Sequence, residues 1–474
     1  DNVKIKEKAK SKLNNLFVPN KRNFLILALI IFLAYIPWFL HYFPGICSAD
    51  SAVQMLQVTG NTALTNHHPI FHTLIIGLCL NIGNLLFGSN NAGIAIYSII
   101  QMLACAFTFS FAVLYLHKKQ VPALLQKLLL LFFMFCPIVC SYSLTMWKDI
   151  PFALCVLITT ILLVEACTNQ DKFFKKKSNL ILLGVFFMLD ILFRKNGLYC
   201  VLLGGVVLLI FLPKKRKKQI LLPFLIPVIC SFIITGPIFS AFDIKDGNSK
   251  EALSVIMQQF ARIKKYHDDD LSKSEKKKLD SFFDDDSYME LYNPTFADPV
   301  KRVFSEEYLQ DHKIDAVTTY LEFAFKYPKD TIIAFIAGSY GYYYPNLVGW
   351  EVFSTIYNDD ETEVLDIEQT PIVYSPIIKE LNVFLNSHNI PLLSMLTSCG
   401  FYLWTLITII CYTLYKKRYM LLCSFSVLLG VFLTALLSPV FCERRYVYSL
   451  IITVPVLFCL CFFNKNKKVS GLSE

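Results

Sequence analysis

Asp50 sits in the stretch Ile46 to Gln57, directly after the first strongly apolar run, and Gln54 and Gln57 follow it at i+4 and i+7. On a helix these three side chains share one face. A carboxylate held there could take the proton of an acceptor hydroxyl, which is general-base work. Close behind it His67, His68 and His72 form the densest histidine group in the chain. His68 and His72 stand at i, i+4, a spacing that could hold a divalent cation on a helix, although too few ligands are evident to identify a metal site. Trp147-Lys148-Asp149 places a second acid and a base ahead of a later apolar run. Asp190 and Arg194, again at i, i+4, close another, where an ionisable pair either works or satisfies itself. Two further basic clusters, Arg194-Lys195-Asn196 and Glu443-Arg444-Arg445-Tyr446, are suited to an anion, because guanidinium groups grip phosphate in bidentate fashion. The plain alternatives are structural: Ser48 or Asp50 as a helix N-cap, Asp149 as another, and basic residues reaching up to headgroups.

What must position these residues follows from composition. Of the 474 residues, 55% are hydrophobic and 15% aromatic, and the mean hydropathy is +0.50. A soluble domain has too little interior to hide that much apolar surface. Apolar runs of about 17–25 residues recur between short polar links, the pattern of an all-α polytopic membrane protein. The net charge of +9 lies in short clusters between those runs, as the positive-inside rule requires, so nucleic acid is not the implied partner. The 15 cysteines fall almost wholly within apolar runs, where they act as small hydrophobes; the polar stretch 242–390 has none, which argues against a disulfide framework or a cysteine zinc site.

Taken in order, the chain reads as a cytoplasmic basic N-terminus (1–23), an N-terminal transmembrane module (24–241) whose first outer loop is 43–91, an extracytoplasmic and mainly helical domain (242–390), C-terminal transmembrane helices (391–464) and a cytoplasmic tail (465–474). The full-length span that follows the basic run Lys4 to Arg22 has no small-residue cleavage pattern and reads as an anchor. The expected total is about ten spans. Pro69 to Phe87 is expected to lie flat in the outer interface: it carries a polar stripe (Gly77, Asn81, Asn84, Gly88), and a crossing there would invert every later basic loop. The apolar helix after Lys326-Tyr-Pro-Lys-Asp330, ending in Gly341-Tyr-Tyr-Tyr-Pro345, is expected to dock on the outer face. The location implied is a plasma membrane, with both termini in the cytoplasm.

With these residues assembled, the chain resembles the GT-C class of membrane glycosyltransferases, the polyprenyl- or dolichyl-phosphate-sugar users related to protein O-mannosyltransferases and lipid A aminoarabinose transferases. The resemblance rests on an ordered set: Asp50 after the first span, His68-Pro69 leading a helix that ends in Leu86-Phe87-Gly88, Asp149 ahead of a later span, and Arg445-Tyr446 near the end. The acidic doublet common in that loop is here Asp50-Ser51, and His-Pro-Pro becomes His68-Pro69-Ile70. The resemblance implies a GT-C-like fold and a lipid-linked sugar donor on the outer leaflet. It also implies a cell-envelope acceptor, whether glycan, lipid or protein.

The expected activity is therefore inverting transfer. Asp50 serves as base, with Asp149 the second catalytic acid. Arg194, Lys195, Arg445, Lys148 and His68 would bind the donor phosphate. Gln54, His67, Asn196, Tyr343 and Tyr446 would orient the acceptor or the groups around it. Rival readings are a lipid-linked glycan polymerase, a transporter or flippase, and a non-catalytic scaffold. The collection of charges at span ends rather than mid-bilayer weighs against the transporter.

Overall fold

The structure, a computed structural model, describes residues 15–247, 250, 253–345, 347, 352, 354–386, 394–437 and 440–463. The expected basic N-terminus up to residue 14, the boundary at 390/391 and the tail 465–474 lie outside the described residues. Helix dominates, and the described strands are two residues each. Among the described residues, six helices are long and apolar enough to cross a membrane. Labelled in chain order, the elements used below are α1 (Lys21–His41), α2 (Ala49–Val58), β1 (Thr65–Asn66), α3 (Ile70–Phe87), α4 (Asn90–Lys118), α5 (Ala123–Phe135), α6 (Asp149–Thr168), α7 (Lys177–Phe193), α8 (Gly197–Phe211) and α9 (Lys214–Ile233). They continue with β2 (Lys245–Asp246), α10 (Ser254–His267), α11 (Lys313–Lys326), α12 (Pro328–Ser339), α13 (Cys399–Tyr415), α14 (Ser426–Leu437) and α15 (Tyr448–Phe463). The six include α3, expected to lie flat, and leave out α7; α5, α8, α13 and α14 are apolar but shorter.

α6 is the hub of the bundle. At 20 residues it is about 30 Å long, and nearly every residue on it from Asp149 to Cys167 is buried against α4, α7, α14 or α15. Its apolarity on all sides is what a central helix needs, since no face meets solvent or lipid. The outer helices instead keep apolar side chains exposed, among them Leu25, Leu29 and Leu33 on α1 and Leu222, Ile226 and Ile229 on α9. Rows of exposed leucine are stable only against hydrocarbon.

α3 packs closely against α4. Gly83 and Leu80 of α3 both press on Gly93 of α4, where a Cβ on either glycine would strike backbone. From Gly83 back to His72 is about three turns, yet His72 reaches Tyr97, only about one turn beyond Gly93. The long His72 and Tyr97 side chains span that offset, and the two helices stay in contact from Gly83 back to His72.

The polar stretch after residue 241 has two parts. Residues 253–327 build their own small core from Met257, Phe260, Phe282, Phe304 and Phe323. The run Asp268-Asp269-Asp270 is solvated and paired at both ends: Asp268 with Lys264 and Lys276, and Asp270 with His267. The described residues between 328 and 386 fold back onto the bundle, where Tyr342, Ile378 and Leu385 join the main core. Among them α12, at 12 residues, is about 18 Å long and too short to span a bilayer.

Candidate functional site

Backbone pairing brings the first loop to the later ones. Ile46 accepts from Met146 N (2.8 Å) and donates to Leu144 O (3.1 Å), while Cys47 exchanges bonds with Thr355 and Tyr357 on its other side. The segment leading into α2 is thus held between residues 144–146 and 355–357. β1 pairs with β2 in parallel register, Thr65 opposite Lys245, which fixes the approach to His67-His68. Ser48 is the N-cap of α2, and its amide donates to Ser51 Oγ (3.3 Å). The capping role is therefore filled without Asp50, whose carboxylate is left to point away from the helix.

That carboxylate meets cations from two distant segments. Lys148 Nζ lies 3.0 Å from Asp50 Oδ2, and Arg445 Nη1 lies 2.8 Å from the same oxygen. Among the described residues Oδ1 receives no hydrogen bond, and the Asp50 side chain keeps 27% of its exposure. Lys148 Nζ also donates to His68 Nδ1 (2.9 Å). The arrangement sets protonation. Burial alone would raise the Asp50 carboxyl, but Arg445 first, then Lys148, hold it well below the usual carboxylate range. Burial, reinforced by Lys148, pushes the His68 imidazole down to about 2, so it is neutral and accepts from the ammonium.

A second pair lies alongside. Asp149, the first residue of α6 and wholly buried, faces Arg194 Nη1 at 3.0 Å. Tyr446 lies between the two arginines, its ring 4.5 Å from the Arg194 guanidinium and 5.2 Å from that of Arg445. Arg445 also lies over Trp147 at 4.9 Å, and Trp147 Nε1 donates to Ser48 Oγ. Glu443, whose carboxyl is raised by burial, stands 3.8 Å from Arg445 Nε. Two guanidiniums, an ammonium and three acidic side chains meet within one wall of aromatic rings. The arginine loop is itself held from outside: Tyr342 OH donates to Val440 O (2.6 Å), and Gly341 sits so tightly against Cys442 that a Cβ would overlap its backbone.

Asp50, Lys148, His68, Asp149, Arg194, Arg445 and Tyr446 therefore converge, as expected. Others do not. Gln54 lies in the seam between α2 and α3, bound to His72 (3.1 Å) and Thr73 (2.7 Å), and Gln57 donates to Thr65. These amides serve packing of α2 rather than the cation cluster. His67 is exposed and touches His68 edge to face at 4.6 Å. Lys195 is exposed beside Arg194, and Asn196 precedes α8 without a side-chain cap bond. Tyr343 turns its hydroxyl toward Ser339 (3.3 Å), within its own helical turn.

Two expectations need correction. Arg194 does not pair with Asp190: α7 ends at Phe193, Arg194 is extended (φ −150°, ψ 130°), and its guanidinium swings to Asp149. Asp190 is buried instead against Thr159 Oγ1 (2.7 Å). The i, i+4 relation of His68 and His72 is likewise not helical, because α3 begins at Ile70; His68 faces Lys148, whereas His72 faces Gln54 and Tyr97. Among the described residues no three His, Cys, Asp or Glu side chains converge as metal ligands. Trp147 as a platform for Arg445 was not foreseen; its only signal was its place beside Lys148.

Residues 55–472 match a family of unknown function (DUF6020), and the chain belongs to that family. The matched range holds His68, Lys148, Asp149, Arg194 and Arg445, and begins just after Asp50. No curated protein and no solved structure matches the chain.

Proposed function

We propose that this member of the family is a membrane glycosyltransferase of GT-C type, moving a sugar from a polyprenyl-phosphate donor to a cell-envelope acceptor on the outer face of a plasma membrane, with inversion. The observation that carries the reading is the meeting of the Asp50 carboxylate with Lys148 and Arg445 on one oxygen, Oδ2. That leaves Oδ1 able to accept the acceptor's proton as the hydroxyl oxygen attacks the anomeric carbon. The bond from that carbon to the phosphate oxygen breaks, and its electron pair leaves on polyprenyl phosphate. Positioned proton removal contributes about 10²–10⁴-fold.

The resting pair is poorly tuned for this work, since a carboxylate held far below neutral is a weak base. A donor phosphate offers Arg445 and Lys148 a second anion. As they turn to it, Asp50 loses its counter-charges and its basicity rises. Arg194, fixed by Asp149 and Tyr446, would hold charge developing on the leaving phosphate. The polar stripe of α3, Gly77, Asn81, Asn84 and Gly88, and the sidedness of the later basic loops favour an interfacial α3, and with it about ten spans, the Asp50 cluster outside and both termini inside.

The decisive experiment is transfer from a polyprenyl-phosphate sugar by the purified protein, with the donor identified from the envelope sugar missing in a deletion strain. Asp50→Asn, isosteric and uncharged, should elute as a folded protein and lose transfer. Full turnover by that variant would remove Asp50 from the role. Transport of the lipid-linked sugar without any new glycosidic bond would favour a flippase.

A further inference from the structure

The end of the bundle away from Asp50 holds a cavity of about 760 Å³. It lies between the last turns of α4 and α6, the link 169–176 and the first turns of α7, close to Pro19 and Asn20. Its polar rim is made of Lys118, Lys119, Lys172, Lys175, Lys176 and Glu165. The one carboxylate is taken: Lys119 Nζ is 2.7 Å from Glu165 Oε1, and Asn169 Nδ2 donates to Oε2 (2.8 Å). The next acid in sequence, Asp171, is bound by Arg216. Among the described residues Lys118, Lys172, Lys175 and Lys176 make no salt bridge, and all four are exposed. The preference for basic loops on one side of a membrane accounts for lysines being there. It does not account for their convergence on the rim of one cavity.

The rest of the lining is apolar: Phe111 and Leu114 from α4, Ile161 and Leu162 from α6, and Leu182 from α7. Phe111 and Leu182 are also exposed on the outside of the bundle. The cavity therefore opens sideways, between α4 and α7, at the depth where the lysine rim gives way to hydrocarbon. A ligand that fits has an anionic head for the ammonium groups and a chain that leaves along the apolar wall. Basic pockets between transmembrane helices take phospholipid headgroups in this manner.

We propose that this cavity binds the phosphate headgroup of an anionic phospholipid from the leaflet opposite the Asp50 cluster, with an acyl chain leaving between Phe111 and Leu182. The proposal is independent of the glycosyltransferase reading, since its ligand and its residues are separate from that site.

The test is thermal unfolding of the full chain in detergent, with added phosphatidylglycerol, phosphatidylcholine or inorganic phosphate. Phosphatidylglycerol should raise the Tm by about 3 °C or more over phosphatidylcholine, as expected for a ligand that binds the folded state alone. Lys172→Ala/Lys175→Ala/Lys176→Ala should keep the Tm seen in phosphatidylcholine and lose most of that shift. If the triple variant is itself unstable, Lys118→Glu, a single exposed change, should lose the shift in its place. Leu182→Trp, which narrows the sideways opening, should also lose it. An equal shift from inorganic phosphate would overturn the lipid reading in favour of a soluble anion. A shift retained in the lysine variants would overturn the site.

Discussion

The Asp50 cluster and the charged network around His267 use similar residues to opposite ends. Around His267 two cations each lie between two acids, and a third shares one of those acids. His267 bridges Asp270 (3.2 Å) and Asp330 (3.0 Å), Lys264 reaches Asp268 (3.3 Å) and Asp280 (2.8 Å), and Arg262 shares Asp330 (2.9 Å). Every charge is answered within the network, and its work is to hold α10 against the start of α12. Around Asp50 the ratio is reversed, with two cations on a single carboxylate oxygen and the other oxygen unbonded among the described residues. The unbonded oxygen is what the proposed base role needs, since it can still accept a proton.

The largest expected break in that comparison is catalytic. Asp50→Asn should cut transfer by about 10²–10⁴-fold, whereas Asp330→Asn, in the balanced network, should leave the rate per folded molecule unchanged. Equal losses from both would dissolve the distinction. Arg445→Ala should raise the donor concentration needed for half-maximal rate more than the acceptor concentration; an unchanged donor dependence would make Arg445 a headgroup anchor.

Next in size is the buried pair. Asp149→Asn strands the Arg194 guanidinium and should cost about 3–5 kcal/mol, read as a lowered unfolding midpoint. Asp149→Asn with Arg194→Met should recover much of that loss, since the stranded charge is gone.

The smallest effects are in pH, and they run in opposite directions. Burial works against a charged His267, but hydrogen bonds to Asp330 and Asp270 raise it above 6.5. Its contribution is complete below the unfolded value and fades as pH rises through the folded one. His267→Gln should therefore flatten a stability loss above neutrality of under about 1 kcal/mol. Asp50 is lowered, so its contribution is present above the ordinary carboxylate value and is lost as acid reaches the folded one. Stability curves for wild type and Asp50→Asn should separate at neutral pH and converge in strong acid.

The residues of the candidate site were largely legible because chemistry-bearing side chains are rare beside apolar runs. Asp50, Lys148, Asp149, Arg194 and Arg445 each stand out locally, and the all-helical, membrane-suited character follows from hydropathy, which is additive along a chain. Errors arose where partner choice mattered. The Asp190–Arg194 pair looked sound at i, i+4 but assumed that α7 continued past Phe193. Gln54 and Gln57 share a helical face with Asp50 by spacing, but the packing of α2 on α3 consumed them as seam residues.

Composition and periodicity by themselves determined that this chain forms apolar helices with charged groups gathered at their ends, because burial of apolar surface is a property of each segment. Which carboxylate meets which cation was decided only by tertiary structure. Asp50 and Arg445 lie 395 positions apart, and no local pattern carries the distance between them. Their meeting depends on the seating of Ile46 and Cys47 between two later segments and on the docking of the arginine loop against Gly341, and each of these is a contact between parts of the chain that are remote in sequence.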